Sequence, residues 1–306
     1  NINDLIASKG SSTFSAITPM GRQHENDREA TAADLKWLAD PAEEPEPFGD
    51  GGTKMAWNTF NVVSIYPNGN PVMSDVNQRW VGDCCACAVI ASMAYLYPRF
   101  VKHIIKDNMD KTYTVTMYDP KGKQISVGVG GDYFIGNSGD LGALGGRNKE
   151  VTWATILEKA MIKWNQIYQG SSNVGGIGTE YVSAIFTGDG ESVGFGANAL
   201  IAEDLQRAVE VSLKQGRLVI GGFTRSGEQV DQNWQTTSGH AFTFILPDDN
   251  THLFKMRNPW GGTTDGVMKV KDDGRIPPMI DLRICAPGAA KNYGVGPDLG
   301  GYIPNF

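Results

Sequence analysis

The stretch QRWVGDCCACAVIASMA, residues 78–94, gathers Cys84, Cys85 and Cys87 into one short segment, and its reading decides the fold. Three chemistries compete for these thiols. Cys84 and Cys87 have the C-x2-C spacing of a zinc site, but the sequence offers no second ligand pair, and three sulfurs on one helix do not converge. Disulfides between neighbours on a helix are geometrically poor. As small buried hydrophobes, Cys85 and Cys87 fit well. Cys84 does not. Gly82 and Asp83 break the backbone just before it, so Cys84 is expected to open a helix. There the unpaired N–H groups and the helix dipole favour a thiolate.

A nucleophilic thiol needs a base and a group that orients the base. HAFTFIL (240–246) and THLFKMRN (251–258) flank a PDDN turn. With Leu246 paired to Thr251, antiparallel register sets His240 opposite Arg257, one step from Asn258. A histidine and an asparagine thus reach the same end of one hairpin. The other histidines have weaker claims. His24 and His252 read as solvated, and His103 as helix surface.

The rest of the composition narrows the function. The chain has 306 residues, 41% hydrophobic and 20% charged, with a formal net charge of −7. That length suits two units sharing a cleft. The charge balance and the lack of a basic stripe argue against nucleic acid as a partner. No apolar run approaches the roughly 20 residues of a membrane-spanning helix. The 38 glycines follow no repeat. Glu43 and Glu46 read as a solvated run rather than a glycosidase pair, and the glycines of VGVGGDYF (127–134) lack the helix a phosphate cradle needs. The chain begins at Asn1, without methionine. We therefore expect Asn1 to be a cut end and the protein to be secreted or held in the cell envelope, with the cytoplasm as the alternative.

Along the chain, residues 1–55 read as an irregular acidic segment with one short helix at ADLKWLAD, capped by Thr31 or Asp34 and ended by Pro41. PAEEPEPFGDGG is expected to stay on the surface, and FNVVSIYPNGNP to form a strand and a turn. Residues 56–190 form a mainly helical unit carrying Cys84. In it, Pro98 stops the cysteine helix, a hairpin turns at PKGK, and residues 151–168 make a helix with Trp153, Ile156, Leu157, Ala160 and Trp164 on one stripe. A glycine-rich stretch through 170–198 loosens the chain. Residues 191–306 begin with a helix stopped by Gly216 and continue as strands at LVIGGF, HAFTFIL, HLFKMRN, GVMKV and IDLRICA.

These motifs resemble the calpain-like cysteine peptidases of the papain-like superfamily, in particular the bacterial thiol proteases that consist of the protease core alone. Residues 78–94 look like the calpain segment Q-G-x-x-G-D-C-W, SGHAFTF like its histidine motif, and RNPWG like its asparagine-tryptophan motif. WATILEKAMIKWN resembles the calpain helix W-x-x-L-L-E-K-A-Y-A-K. The likeness runs from about residue 60 to 270. It implies an α+β, two-domain core with the active site in the interdomain cleft, and an endopeptidase acting on proteins or peptides without an organic cofactor. Carried over, Cys84 is the nucleophile, His240 the general base and Asn258 its orienter. Gln78 donates to the oxyanion with the Cys84 N–H. Trp260 shields the His–Asn bond, and Gly239 supports the site. Cys85 stands where the family has tryptophan. The resemblance also implies calcium. One site would use Asp75 with the carbonyls of Asn68 and Asn70, and Gln169 where the family has a carboxylate. The other would use Asp265, Asp272 and Asp273, with Thr264 at a glutamate position. The alternative readings are a transglutaminase-like acyltransferase and a peptide-binding module that does not cut.

Overall fold

Thr31 opens the first helix, α1 (Ala32–Ala39), through a reciprocal capping box. Its side chain accepts from the Asp34 N–H, and Asp34 accepts from the Thr31 N–H. The computed structural model describes residues 18–20, 27–48, 55–195, 202–247, 252–271 and 279–294. Elements upstream of position 190 comprise α1, β2 (Ala56–Thr59), α2 (Cys84–Leu96), α3 (Pro98–Ile104), β3 (Ile105–Asp107), β4 (Tyr113–Tyr118), β5 (Gln124–Val129), β6 (Asp132–Ile135), α4 (Trp153–Tyr168) and α5 (Thr179–Thr187). Later come β7 (Ser192–Phe195), α6 (Ala202–Lys214), β8 (Leu218–Phe223), β9 (Ala241–Ile245), β10 (His252–Arg257), β11 (Val267–Lys271) and β12 (Met279–Cys285). With β1 (Thr18–Met20), the later strands make one antiparallel sheet in the order β1-β7-β12-β8-β9-β10-β11. The architecture is α+β.

α2 is the seam between the helical half and this sheet. It is buried from Ala86 to Leu96, and its alanines, cysteines and serine let β8 and β9 approach closely. Hydrogen bonds pin the contact: Thr243 Oγ1 donates to the Ala88 carbonyl at 2.7 Å, and the Leu246 N–H to the Tyr95 hydroxyl at 3.1 Å. α4 supports α2 from the other side and is buried around almost its whole circumference, not along a single stripe. Its charged residues are satisfied inside. Lys163 Nζ donates to the carbonyls of Asp40 at 2.9 Å and Gly128 at 2.8 Å, and burial lowers its pKa to about 8.

The structure corrects four local expectations. The strand placed at FNVVS lies upstream, at Ala56–Thr59, where it pairs with β6, and Val63 is exposed. The N-terminal segment is not only irregular, since β1 adds an edge strand to the large sheet. PAEEPEPF also enters the interior: Glu44 pairs with buried Lys159 at 2.7 Å, and Phe48 packs edge-on against Phe134. Finally, the glycine-rich stretch contains α5. Its Val182, Ile185 and Phe186 are buried, and it ends where Gly188 takes the left-handed backbone that a side chain would resist.

Candidate active site

The hairpin that carries His240 and Asn258 has a different register from the one its loop suggests. Ile245 pairs with Lys255, Phe244 with Met256 and Thr243 with Arg257. Thr243, not His240, therefore faces Arg257. The offset is three residues: the described pairing with β9 begins at Lys255 opposite Ile245, where a PDDN turn would set Ile245 opposite His252. Continued by three residues, this register sets His240 level with Trp260. Their ring centroids are 4.2 Å apart.

His240 and Asn258 still meet. His240 Nε2 lies 2.8 Å from Asn258 Oδ1, and both residues are buried. Asn258 Oδ1 also accepts the Trp260 backbone N–H at 3.0 Å. A peptide N–H only donates, so the side-chain oxygen must face both partners, and His240 must carry a proton on Nε2. Nδ1 is then the ring nitrogen available to a thiol. Trp260 is half-exposed and covers the imidazole, while Phe242 meets it edge-on from another side.

Cys84 is the first residue of α2, with Asp83 as its N-cap. Its thiol pKa is brought down to about 4. A hydrogen bond from Cys85 contributes most, followed by the hydrogen bond from His240, the Ala241 N–H and the His240 charge, against burial that pushes it up. A cleft of about 280 Å³ opens beside this sulfur. Its walls include Cys85, Thr179, Glu180, Ile220, Gly239 and Arg283. Gly239 has φ +65° with open space where a Cβ would stand, so the backbone angle, not crowding, is what calls for glycine there.

Cys85 is not the buried bystander expected from the sequence. It is partly exposed in the cleft and bonds to Cys84. Cys87 is fully buried and donates to Asp83 Oδ1 at 3.3 Å. Gln78 donates one amide N–H to the Val81 carbonyl at 2.9 Å, and its backbone N–H bonds to the Pro259 carbonyl at 2.7 Å. It thereby ties the approach to Cys84 to the residue after Asn258. Its second amide N–H remains for another acceptor. Of the cleft residues that sequence reasoning missed, Gly221 and Gly222 left a signal as the paired glycines of LVIGGF. Glu180 and Arg283 left none.

Of the residues named for calcium, Asp75 and Asn68 meet, while Gln169 lies apart from them. Asp75 is buried, and donors already fill both of its oxygens: Asn68 Nδ2 at 2.7 Å, Trp153 Nε1 at 2.7 Å and the Val72 N–H at 3.2 Å. Asn70 Oδ1 accepts Lys102 Nζ at 3.1 Å. Gln169 caps the far end of α4 from Trp153, about 24 Å along the helix, and bonds to Asp27 and Tyr181. Asp265 faces two guanidinium groups, Arg147 Nη2 at 3.1 Å and Arg257 Nη2 at 3.5 Å. Asp272 and Asp273 lie outside the described residues. Hard cations want oxygen ligands that are not already spent on N–H donors; the Asp75 oxygens are spent in this way, whereas Asp265 Oδ1 is buried without a hydrogen-bond partner among the described residues.

A family model described as calpain family cysteine protease matches residues 57–266. No curated protein matches the chain. Among the described residues, no single helix is long and apolar enough to cross a membrane.

Proposed function

Since the chain belongs to the calpain family of cysteine proteases, we propose that it is an endopeptidase whose nucleophile is Cys84, whose general base and acid is His240 and whose orienting residue is Asn258. The observation that carries this reading is the His240–Asn258 contact of 2.8 Å beside a thiol whose pKa is lowered to about 4. At neutral pH a thiol with that pKa is a thiolate, the reactive nucleophile.

The Cys84 sulfur attacks the peptide carbonyl carbon, and the carbonyl oxygen becomes an oxyanion. The Cys84 backbone N–H, unpaired at the helix start, and the second amide N–H of Gln78 serve as its donors. His240 Nδ1–H then protonates the departing amine as the C–N bond breaks, leaving a thioester on Cys84. A water molecule gives its proton to Nδ1 and attacks the thioester, and the carboxylic product and the thiolate are released. Through both halves Asn258 holds Nε2–H, so the ring keeps one tautomer and one orientation. Trp260 keeps water from competing for that bond.

The two halves are docked in this account by Arg147, Asp265 and Arg257 and by the Gln78–Pro259 bond. The test is hydrolysis of casein by the wild type and by Cys84→Ala. The variant should be inactive. A thiol-dependent amine transfer to glutamine substrates, with no casein cleavage, would replace the peptidase reading with that of an acyltransferase.

A further inference from the structure

Directly beneath the nucleophile lies a cluster that the mechanism does not use. Asp83 precedes Cys84 in the chain, but its side chain makes no capping bond to α2 and points into the interior. It meets Cys87, one turn along α2, and Glu158 from the middle of α4. One side-chain atom from each lies within 4.8 Å of the others, and all three residues are at most 1% exposed. Cys87 Sγ donates to Asp83 Oδ1, and the Leu144 N–H donates to Glu158 Oε1 at 3.0 Å. The two remaining oxygens, Asp83 Oδ2 and Glu158 Oε2, are buried and, if both carboxyls are ionised, have no partner among the described residues.

Two adjacent buried carboxylates with unpaired oxygens are untenable. Each would bear the cost of burial and of the other's charge. One proton placed between them satisfies both oxygens. We propose that Asp83 and Glu158 share one proton, with Glu158 as donor and Asp83 as acceptor, and that this pair is a positioning device fixing the first turn of α2 and with it the Cys84 sulfur. The shared proton stands on the cluster geometry alone, while the positioning role rests on the peptidase reading above. Burial first, and then the Asp83 charge, push the Glu158 carboxyl well above its ordinary range. Among the described residues, the other ionisable groups bearing on the cluster are Cys84, beside Asp83, and Arg257 at the end of β10, which bears on Cys87. The arrangement leaves the carboxyl pair with a single negative charge, beside the Cys84 thiolate at the N-terminus of α2, where the helix dipole favours anions.

Glu158→Gln tests both parts, because the amide keeps an acceptor for the Leu144 N–H and a donor for Asp83. The infrared difference spectrum of the full chain, wild type minus Glu158→Gln at pH 7, should contain the stretch of a protonated carboxyl. Its absence would overturn the shared proton whatever the enzyme does. Stability supplies an independent readout. Above about pH 4.5 the unfolded chain releases the Glu158 proton and the folded chain keeps it, so wild-type stability falls with rising pH relative to the variant. The Tm advantage of Glu158→Gln should therefore grow from pH 4.5 to 8, and a flat difference would contradict the proposal. In peptidase assays Glu158→Gln should stay within about 3-fold of wild type in kcat/KM. Glu158→Ala should lose about 10²-fold, mostly in kcat, through a misplaced sulfur. An equal loss in both variants would remove the positioning role and leave the proton intact. Stoichiometric metal in the purified protein would overturn the shared proton.

Discussion

Arg147 and Asp265 meet across the two halves of the molecule, Nη2 to Oδ1 at 3.1 Å, and the same oxygen lies 3.5 Å from buried Arg257. These are charge contacts more than directed hydrogen bonds, because Asp265 Oδ1 has no hydrogen-bond partner among the described residues. They occupy a position where the family resemblance implies a cation. Arginine supplies the positive charge from within the chain.

Chelation should therefore leave the enzyme working. Treatment with excess chelator is expected to leave casein hydrolysis and Tm unchanged, and added calcium should raise neither. Asp265→Asn is the damaging change, because it strips the countercharge from a buried guanidinium. We expect a loss of about 2–3 kcal/mol, below that of a fully buried pair because Asp265 is partly exposed. Chemical denaturation measures it. A calcium-dependent rise in both rate and Tm would show that the cation sites exist after all.

His240→Ala should lower kcat/KM by about 10⁶-fold, and Asn258→Ala by about 10⁴-fold, since the asparagine only holds a geometry. His103 stacks on Tyr293, with centroids 4.7 Å apart, and takes no part in the cleft. His103→Ala should retain wild-type rates. Equal damage from all three would point to folding, not chemistry, and circular dichroism would decide.

The pH dependence of alkylation reads the thiol directly. With the Cys84 pKa lowered to about 4, thiolate persists above that pH and is lost below it. The rate of reaction with iodoacetamide should hold from neutral pH down to about pH 5 and fall below pH 4. Because the Cys85 hydrogen bond is the largest stabiliser of the thiolate, Cys85→Ala should move that midpoint upward while keeping activity at pH 7. An unchanged midpoint would remove Cys85 from the account.

Lys163 joins three elements, since its ammonium group donates to carbonyls after α1 and in β5. Lys163→Met leaves those carbonyls buried without a donor. It should cost about 1–3 kcal/mol and loosen α1, which hydrogen exchange of the α1 amides would register. Unchanged protection there would mean that the capping box alone holds the helix.

Much of this was legible from residues 78–94, 238–244 and 257–261. A glycine and an aspartate before Cys84 mark a helix start, and two strands around a loop bring His240 and Asn258 together whatever the detailed pairing. The register itself was not legible. It is offset by three residues from the pairing a PDDN turn would give, which alternation does not encode, so His240 lies level with Trp260 instead of Arg257. α5 was hidden because its flanking glycines read as a loop, although Gly188 marked its end. The roles of Asp83 and Glu158 were hidden for a different reason. Their partners lie on separate helices, and only packing brings them together. Cys85 looked like core by composition, yet helix phase turns it into the cleft.

In the proposed mechanism Cys84, and no other thiol, carries the reaction. Incubating the protein with a peptidyl epoxide inhibitor of papain-like enzymes, digesting it, and locating the adduct by mass spectrometry tests this most directly. One adduct per chain is expected, on Cys84, absent from Cys84→Ala and strongly slowed in His240→Ala. An adduct on Cys85, or an unmodified Cys84 in protein that still cleaves casein, would contradict it.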